Sequence, residues 1–183
     1  MKTEKEKMIS ANKYYSSDDE LVAERIKCKN LCHEYNALLP SETIRRKDII
    51  KRIAKTNGDF LIEQPFMCDY GYNIEFGNNF YANHGLIILD SARVKFGNNV
   101  FIGPNCGFYT AFHPIDVKER NQGIEQAAPV TVGDNVWFGG NVVVLPGVTV
   151  GSNSTIGAGS VVVNDIPPYT LAFGNPCKPV RKI

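Results

Sequence analysis

Histidine is the residue type in this chain that is best suited to proton transfer near neutral pH. An imidazole with an unperturbed pKa of about 6.5 can take the proton of a hydroxyl group, which is otherwise a poor nucleophile. His33 falls in a helical pattern and His84 within a strand-like repeat, whereas His113 lies in a segment that interrupts the repeat, before Pro114. Long loops on regular scaffolds often carry function. His113 is therefore a candidate general base, and the alternative interpretation is an ordinary exposed loop residue.

The cysteines offer a second kind of chemistry. Five occur, an odd number at unmatched spacings, so no disulfide framework is predicted. Cys28 and Cys32 stand beside His33 and resemble metal ligands, but no second cluster follows to complete a tetrahedral site. These thiols are therefore predicted to be reduced and buried on a helix face, and no metal is predicted.

A six-residue period organises most of the chain that must position these side chains. Apolar residues recur at every sixth position, usually followed by glycine: Val132, Phe138, Val144, Val150, Ile156 and Val162. Because strand side chains alternate between two faces, each of these residues and the residue two before it point into a shared interior. Stacked coils of about eighteen residues bury that interior in a parallel β-helix. We therefore predict a mainly β fold of this kind.

The predicted β-helix begins after an α-helical segment at residues 1–57. Ser17 and Glu20 match a capping box, and apolar residues then recur at helical spacing. A second helix follows Pro40, with Ile44 on its apolar side. Its basic run, residues 45–47, is interpreted as a solvated face rather than a phosphate site.

Residues 58–183 are predicted to form the β-helix and its extensions. The repeat is imperfect early and regular late. A loop at residues 109–128 leaves it and lets it resume in phase, so this loop must protrude at a corner. A C-terminal tail, residues 166–183, is predicted to follow because Pro167 and Pro168 end the strand pairing.

Composition limits the classes of partner. The 183 residues carry a formal net charge of +1, which gives no electrostatic reason to expect nucleic acid or an anionic membrane. The lysine- and glutamate-rich start does not resemble a signal peptide, and no apolar run approaches the roughly 18 residues of a membrane span. We therefore predict a soluble, cytoplasmic protein.

The chain resembles the hexapeptide-repeat sugar O-acetyltransferases of the maltose and galactoside acetyltransferase group. The resemblance rests on motifs in order along nearly the whole length: Glu34-Tyr-Asn36, Cys68-Asp-Tyr-Gly-Tyr-Asn-Ile74, Gly77-Asn-Asn-Phe-Tyr-Ala-Asn83, Thr110-Ala-Phe-His-Pro-Ile-Asp116, Val136-Trp-Phe-Gly-Gly140 and Phe173-Gly-Asn-Pro-Cys177. It implies a left-handed β-helix, against the usual right-handed crossover. It also implies a homotrimer with active sites between subunits, acetyl-CoA as donor with no metal required, and a small saccharide such as maltose, glucose or a galactoside as acceptor.

The resemblance also assigns roles at the acceptor site. It implies that His113 is the catalytic base and that Glu125 orients it or binds the sugar. Asp69 and Asn83 match positions that contact acceptor hydroxyls, and Asn83 is a candidate to steady the oxyanion. Asp90 and Ser17, or its neighbour Asp18, are further acceptor candidates. The alternatives are an exposed loop charge for Glu125 and backbone-satisfying corner residues for Asp69 and Asn83.

The donor site is implied in the same way. Coenzyme A is expected in a groove parallel to the prism axis, against the backbone of Gly140 and Ala158 and an apolar wall at Trp137. The alternative for Trp137 is simple packing. Lys178 and Arg181 are expected to meet the nucleotide phosphates. Val163 and Asn164 match further donor-binding positions, where relatives often carry Thr-Lys, so this chain is expected to lack one cationic phosphate contact.

Three rival functions stay open on the sequence. The acceptor could be another hydroxyl compound, such as an antibiotic or an oligosaccharide signal. A zinc enzyme of the carbonic anhydrase kind also uses this scaffold, but it needs three convergent histidines. A noncatalytic trimeric β-helix scaffold is the third possibility.

Overall fold

The computed structural model describes residues 2–183. The helices are α1 (Glu4–Ile9), α2 (Asp19–Asn36), α3 (Thr43–Ile53) and α4 (Val117–Asn121). The strands are β1 (Tyr14–Tyr15), β2 (Lys55–Thr56), β3 (Phe60–Ile62), β4 (Phe66–Cys68), β5 (Ile74–Phe76), β6 (Phe80–Ala82), β7 (Leu86–Leu89), β8 (Val94–Phe96), β9 (Phe101–Ile102), β10 (Gly107–Tyr109), β11 (Ala111–Phe112), β12 (Ile124–Ala127), β13 (Val130–Val132), β14 (Trp137–Phe138), β15 (Val143–Val144), β16 (Thr149–Val150), β17 (Thr155–Ile156), β18 (Val161–Val162), β19 (Thr170–Phe173) and β20 (Lys178–Lys182).

Three stacks of parallel strands form the sides of a triangular prism. Face 1 has the order β16-β13-β8-β5-β2, and face 3 has the order β18-β15-β10-β7-β4. Face 2 has the order β19-β17-β14-β9-β6-β3, with β20 added antiparallel at its end. Equivalent repeat residues pair directly, as Val132 does with Phe96 and Val150. The predicted parallel β-helix and its six-residue register are therefore confirmed.

The prism interior changes in kind along its axis. Early coils are filled by aromatic rings, in which Phe96 lies 5.1 Å from Phe80 and 4.9 Å from Phe108 between ring centroids. Late coils are filled by small branched residues such as Val144 and Val162, which are fully buried. Each such side chain stabilises the fold by about 1.5–3 kcal/mol relative to its exposed state. The core is continuous along the stack, so the prism can position the features at its edges.

Asparagines hold the edge between faces 1 and 2. Asn79, Asn99, Asn135 and Asn153 all adopt positive φ angles of 53–59°. The side-chain amides of the first three each donate to the side-chain oxygen of the next asparagine along the axis at 2.9 Å. Asparagine tolerates this left-handed backbone better than most residues, which explains its repeated use at the turn.

Four local predictions from the sequence are wrong. Helix α2 is capped by Asp18, whose carboxylate accepts from the N–H groups of Glu20 and Leu21, and the only capping box among residues 2–183 is at Thr3 and Glu6. Ile44 is 76% exposed, because the buried side of α3 carries its neighbours along the helix instead. Parallel pairing already begins at β2, before residue 58. Pro167 and Pro168 do not end the pairing, since β19 adds a further parallel strand beyond them.

No helix among residues 2–183 is long and apolar enough to cross a membrane. The cytoplasmic location stays a prediction.

Candidate active site

The inserted loop is a small folded unit anchored by the N-terminal arm. Strand β12 pairs antiparallel with β11 on one side and with β1 on the other. The turn between β11 and β12 contains the short helix α4, capped by the carboxylate of Asp116, which accepts from the N–H of Glu119 at 2.9 Å. Lys13, just before β1, forms an ion pair with Glu119 at 2.6 Å. The two strands of the loop and the distant N-terminal strand β1 therefore fix the position of His113, which directly follows β11.

His113 is oriented as a base. Its Nδ1 atom lies 3.3 Å from the carbonyl oxygen of Ile124. A carbonyl can only accept a hydrogen bond, so the neutral ring carries its proton on Nδ1 and leaves the Nε2 lone pair free. Nε2 lies 3.9 Å from Oε1 of Glu125, and the side chain is 53% exposed. An incoming hydroxyl can therefore approach Nε2 from solvent, beside a carboxylate.

Glu125 is held in turn by Tyr14. The Tyr14 hydroxyl donates to Oε2 of Glu125 at 2.7 Å, and the two residues face each other in the β1–β12 register. Tyr14 is 1% exposed, and burial raises its pKa far above the usual value, so it stays a protonated donor. Glu125 is thus a fixed group and not a free loop charge. Sequence analysis missed Tyr14, because its partner lies more than a hundred residues further along the chain and no local pattern marks the pair.

Asp90 is not exposed to solvent, which disfavours the direct contact with an acceptor that was predicted for it. It is fully buried, and its Oδ1 accepts from the backbone N–H groups of Asp69 and Tyr70 at 3.0 and 2.9 Å. Desolvation raises the pKa of Asp90 to about 6. Its structural role is to hold the corner on which Asp69 sits.

Asp69 lies on the same side of the prism as the loop. Its pKa is raised, mainly by desolvation, and the charge of Glu125 contributes to that rise. Lys29 opposes it from 3.6 Å away. Ser17 is exposed next to the helix cap at Asp18, whose carboxylate is occupied by the start of α2. We call the edge between faces 3 and 1 that carries Asp69, His113 and Glu125 the histidine corner.

Asn83, Gly140 and Ala158 lie elsewhere, at the edge between faces 2 and 3, and Trp137 lies beside them on face 2. A cleft of about 490 Å³ is lined there by Asn83, Phe101, Pro104, Trp137 and Gly140 among others. Trp137 is 56% exposed, so it does not serve as ordinary core packing in this chain. We call this region the tryptophan cleft.

Backbone stacking gives the tryptophan cleft its floor. A Cβ atom added to Gly103 would lie 2.6 Å from the backbone nitrogen of Gly140, and one on Gly139 would lie 2.6 Å from that of Ala158. Glycine is therefore required where successive coils approach this closely. Ala158 continues the same edge and is exposed.

The remaining donor candidates are divided between two edges. Lys178 and Arg181 are exposed on β20, which pairs with β19 at the end of face 2, the face that carries Trp137. Val163 and Asn164 are exposed directly after β18 of face 3, on the edge of the histidine corner. One chain therefore does not bring all the predicted donor residues together.

Two family models match the chain. The maltose acetyltransferase hexapeptide capping motif matches residues 7–53, and the bacterial transferase hexapeptide (six repeats) matches residues 129–164. A protein of Saccharomyces cerevisiae described as a candidate acetyltransferase is 55% identical over 91% of this chain and 85% of its own length.

Two solved structures are similar to this chain over its whole length. A maltose O-acetyltransferase from Clostridium difficile 630 is 50% identical, with a TM-score of 0.98, over 100% of this chain and 98% of that one. A galactoside acetyltransferase in complex with coenzyme A is 39% identical, with a TM-score of 0.96, over 100% of this chain and 92% of that one.

Proposed function

Because the chain belongs to the hexapeptide-repeat acetyltransferase family, we propose that it transfers an acetyl group from acetyl-CoA to a hydroxyl of a small saccharide such as maltose, glucose or a galactoside. The observation that carries this proposal is the orientation of His113. Its Nδ1 is tied to a backbone carbonyl, and its free Nε2 faces solvent beside a fixed carboxylate. The solved relatives named above support the choice of donor and acceptor, since one is a maltose O-acetyltransferase and the other holds coenzyme A.

The reaction follows from this geometry. Nε2 of His113 takes the proton of the sugar hydroxyl while the hydroxyl oxygen attacks the thioester carbonyl. The tetrahedral intermediate carries an oxyanion, for which the side-chain amide of Asn83 is the proposed donor. Collapse of the intermediate breaks the carbon–sulfur bond, and the leaving thiolate takes the proton back from the imidazolium. Glu125 stabilises that imidazolium, because its carboxylate lies 3.9 Å from Nε2.

The proposed site needs two chains. The histidine corner and the tryptophan cleft lie at opposite edges of face 3, and a six-residue rung spans about 20 Å. Reacting atoms must approach to about 3–3.5 Å. We therefore propose that the histidine corner of one chain meets the tryptophan cleft of another, as a closed homotrimer allows.

The chemistry of the three faces supports this assembly. Face 1 turns charged and hydroxyl side chains outward, such as Glu75, Lys95 and Thr131. Face 2 presents Leu61 and Phe101, which are 42% and 41% exposed, in addition to Trp137. Face 3 presents Met67, Ile87, Val143 and Val161. Exposed apolar side chains on faces 2 and 3 are typical of surfaces that pack against further copies, whereas the polar face 1 is typical of a solvent-exposed surface.

The activity is tested by thiol release from acetyl-CoA with a panel of maltose, glucose, galactosides and non-sugar alcohols. His113→Ala is expected to lower kcat by about 10² to 10⁴ without changing the fold. His33→Ala, an exposed histidine on α2, is the matched control and is expected to retain activity. Full activity of His113→Ala would refute the mechanism. If acetyl groups are transferred only to the non-sugar alcohols, the proposed acceptor class is wrong. If acetyl-CoA does not raise the Tm of the protein, the noncatalytic scaffold is favoured.

The shared site has a sharper test. His113→Ala and Asn83→Ala chains are each expected to be inactive, but random mixed trimers are expected to regain about a quarter of the sites, each built from the two intact halves. No recovery in mixed trimers would show that one chain supplies both residues. Trimer mass by light scattering provides the control for assembly.

The positions of the three histidines do not support a zinc enzyme of the carbonic anhydrase kind. His33 lies on α2, His84 follows Asn83 on another edge, and His113 lies on the loop. The only group of three candidate ligands within residues 2–183 consists of cysteines.

A further inference from the structure

Three buried thiols meet where α2 crosses β4. Cys28 and Cys32 lie one helical turn apart on the same side of α2, and Cys68 ends β4. The Sγ atom of Cys68 lies 3.4 Å from that of Cys28 and 3.7 Å from that of Cys32, and all three sulfurs lie within 4.8 Å of one another. The three residues are 3–5% exposed. Other buried cysteines of the chain, Cys106 and Cys177, do not belong to this group.

The spacing of the sulfurs fits a tetrahedral metal ion. Zinc–thiolate bonds are about 2.3 Å long, which places two sulfurs of a tetrahedron about 3.8 Å apart. The observed Sγ–Sγ distances of 3.4 and 3.7 Å are close to that value. Three thiols can therefore bind one ion with only small side-chain shifts, and a fourth position stays open.

A cavity gives that fourth position access to solvent. Its volume is about 500 Å³, and its lining includes Cys32, Cys68, Lys29 and Asp69. An ion can enter by this route before face 3 packs against another chain, because Met67 and Ile87 of that face also line the cavity. A water molecule from the cavity can complete the coordination.

A buried negative group beside the cluster favours a cation there. Asp90 is fully buried, and its Oδ2 has no hydrogen-bond partner. It lies beside the cluster, since its Oδ1 accepts a hydrogen bond at 3.0 Å from the backbone N–H of Asp69, the residue directly after Cys68. An unpaired buried carboxylate oxygen is costly, and a positive ion nearby would offset that cost.

We propose that Cys28, Cys32 and Cys68 bind one zinc-class ion as thiolates, with a water molecule as the fourth ligand. Each thiol releases its proton to solvent when the ion binds. Soft thiolate sets select zinc or monovalent copper over magnesium or calcium. The ion would join α2 to β4 directly before Asp69, so its role is structural. The sequence argument against a metal relied on the lack of a second cluster, and Cys68, contributed by a distant strand, supplies the missing ligand.

The test uses the full-length protein, purified with a reductant, stripped with a chelator and titrated with Co²⁺ and then Zn²⁺. We expect one ion per chain, a sulfur-to-cobalt charge-transfer band that zinc abolishes, and a higher Tm with zinc. Thiol titration is expected to show three of the five cysteines protected by the metal. The proposal is wrong if the protein does not bind one ion per chain. It is also wrong if Co²⁺ binds without the sulfur-to-cobalt charge-transfer band.

Matched variants separate this site from incidental binding. Cys32→Ser and Cys28→Ala are expected to weaken zinc binding at least tenfold, because loss of a ligand exceeds the effect of losing an outer-shell partner. Cys106→Ser removes an equally buried thiol outside the cluster and is expected to bind like the wild type. Circular dichroism of the metal-free variants checks that they fold. Equal affinity in folded Cys32→Ser and wild type, or a Cys28–Cys68 disulfide that replaces the metal under reductant, contradicts the proposal.

Discussion

The histidine corner and the tryptophan cleft are built in opposite ways. The cleft is assembled from equivalent positions of successive coils, so its backbone at Gly103, Gly139 and Ala158 follows from the stacking itself. The histidine corner departs from the repeat and depends on pairings between β1, β11 and β12. Regular stacking thus provides a groove, whereas the interruptions provide the titratable groups.

This difference predicts different sensitivities to substitution. Damage to the stack should lower stability and affect every function of the molecule. Damage to the histidine corner should lower the rate and leave the prism intact, because the loop leaves and rejoins the repeat without breaking its register.

The largest effect is expected from a methyl group placed between coils. A Cβ atom on Gly77 would lie 2.1 Å from the carbonyl oxygen of Gly97, so Gly77→Ala must displace backbone and is expected to cost about 3 kcal/mol or more in unfolding free energy. Gly123→Ala in the loop is the matched comparison. Its φ of 78° disfavours alanine, but no atom lies within 4 Å, so about 1–2 kcal/mol is expected. Equal losses in urea unfolding would remove the proposed difference between stack and loop.

Asp90 provides a pH-dependent test of the support under the histidine corner. Its folded pKa of about 6 lies above the ordinary value of 3.8, because burial disfavours the charged form. The folded state therefore binds more protons than the unfolded state between about pH 4 and 6, and stability falls as pH rises through that window. At pH 7 the penalty is about 3 kcal/mol.

Asp90→Asn keeps an oxygen for the N–H groups of Asp69 and Tyr70 and removes the charge. We expect the variant to be more stable than wild type at pH 7, by up to about 3 kcal/mol, with the difference vanishing near pH 4. Unfolding is measured with a chelator present, so that no metal affects the comparison. A stability difference that does not change with pH would contradict the assigned cause.

Tyr14 tests whether the N-terminal arm contributes to the rate. Tyr14→Phe keeps the buried ring and removes the hydrogen bond to Glu125. Hydrogen bonds to charged groups contribute about 1.5–3 kcal/mol, so we expect kcat to fall roughly tenfold to hundredfold with the KM for acetyl-CoA unchanged. Tyr15→Phe, which alters the neighbouring exposed ring, is expected to behave like the wild type. If only the KM changes, Tyr14 does not help to orient the catalytic pair of Glu125 and His113.

The sequence predicted the repeated half of the molecule far better than the interrupted half. A six-residue period fixes which side chains point inward, so the prism and its glycine-lined edges follow from local rules. The roles of Tyr14, Asp90 and Cys68 do not, because each depends on a partner brought near by the fold and not by spacing. His113 was a candidate base because the loop that carries it breaks a regular pattern, and the family resemblance is what gave it the catalytic role.

A smaller effect is expected in the tryptophan cleft. Trp137→Ala removes an exposed apolar wall without opening the core, since the side chain is 56% exposed. A loss of about 1 kcal/mol is expected, which corresponds to a KM for acetyl-CoA raised roughly fivefold with little change in kcat. Thr155→Ala, one coil further along the same face, is the control. A large fall in kcat would show that Trp137 acts on the reacting atoms and not on the donor's arm.

The smallest effect is expected at the end of face 2. Lys178→Gln with Arg181→Gln removes two exposed cations from β20, which lies beyond the tryptophan cleft on the same face. Exposed charges each contribute about 0.2–1 kcal/mol, so the KM for acetyl-CoA should rise only a few-fold, mainly at low ionic strength. Because phosphate contacts act on the nucleotide and not on the acetyl group, kcat should stay constant. Lys118→Gln with Arg120→Gln on α4 removes as much charge from the histidine corner instead. If that control raises the KM as much as the β20 pair does, the nucleotide lies against the loop, and the division of labour between the two regions fails.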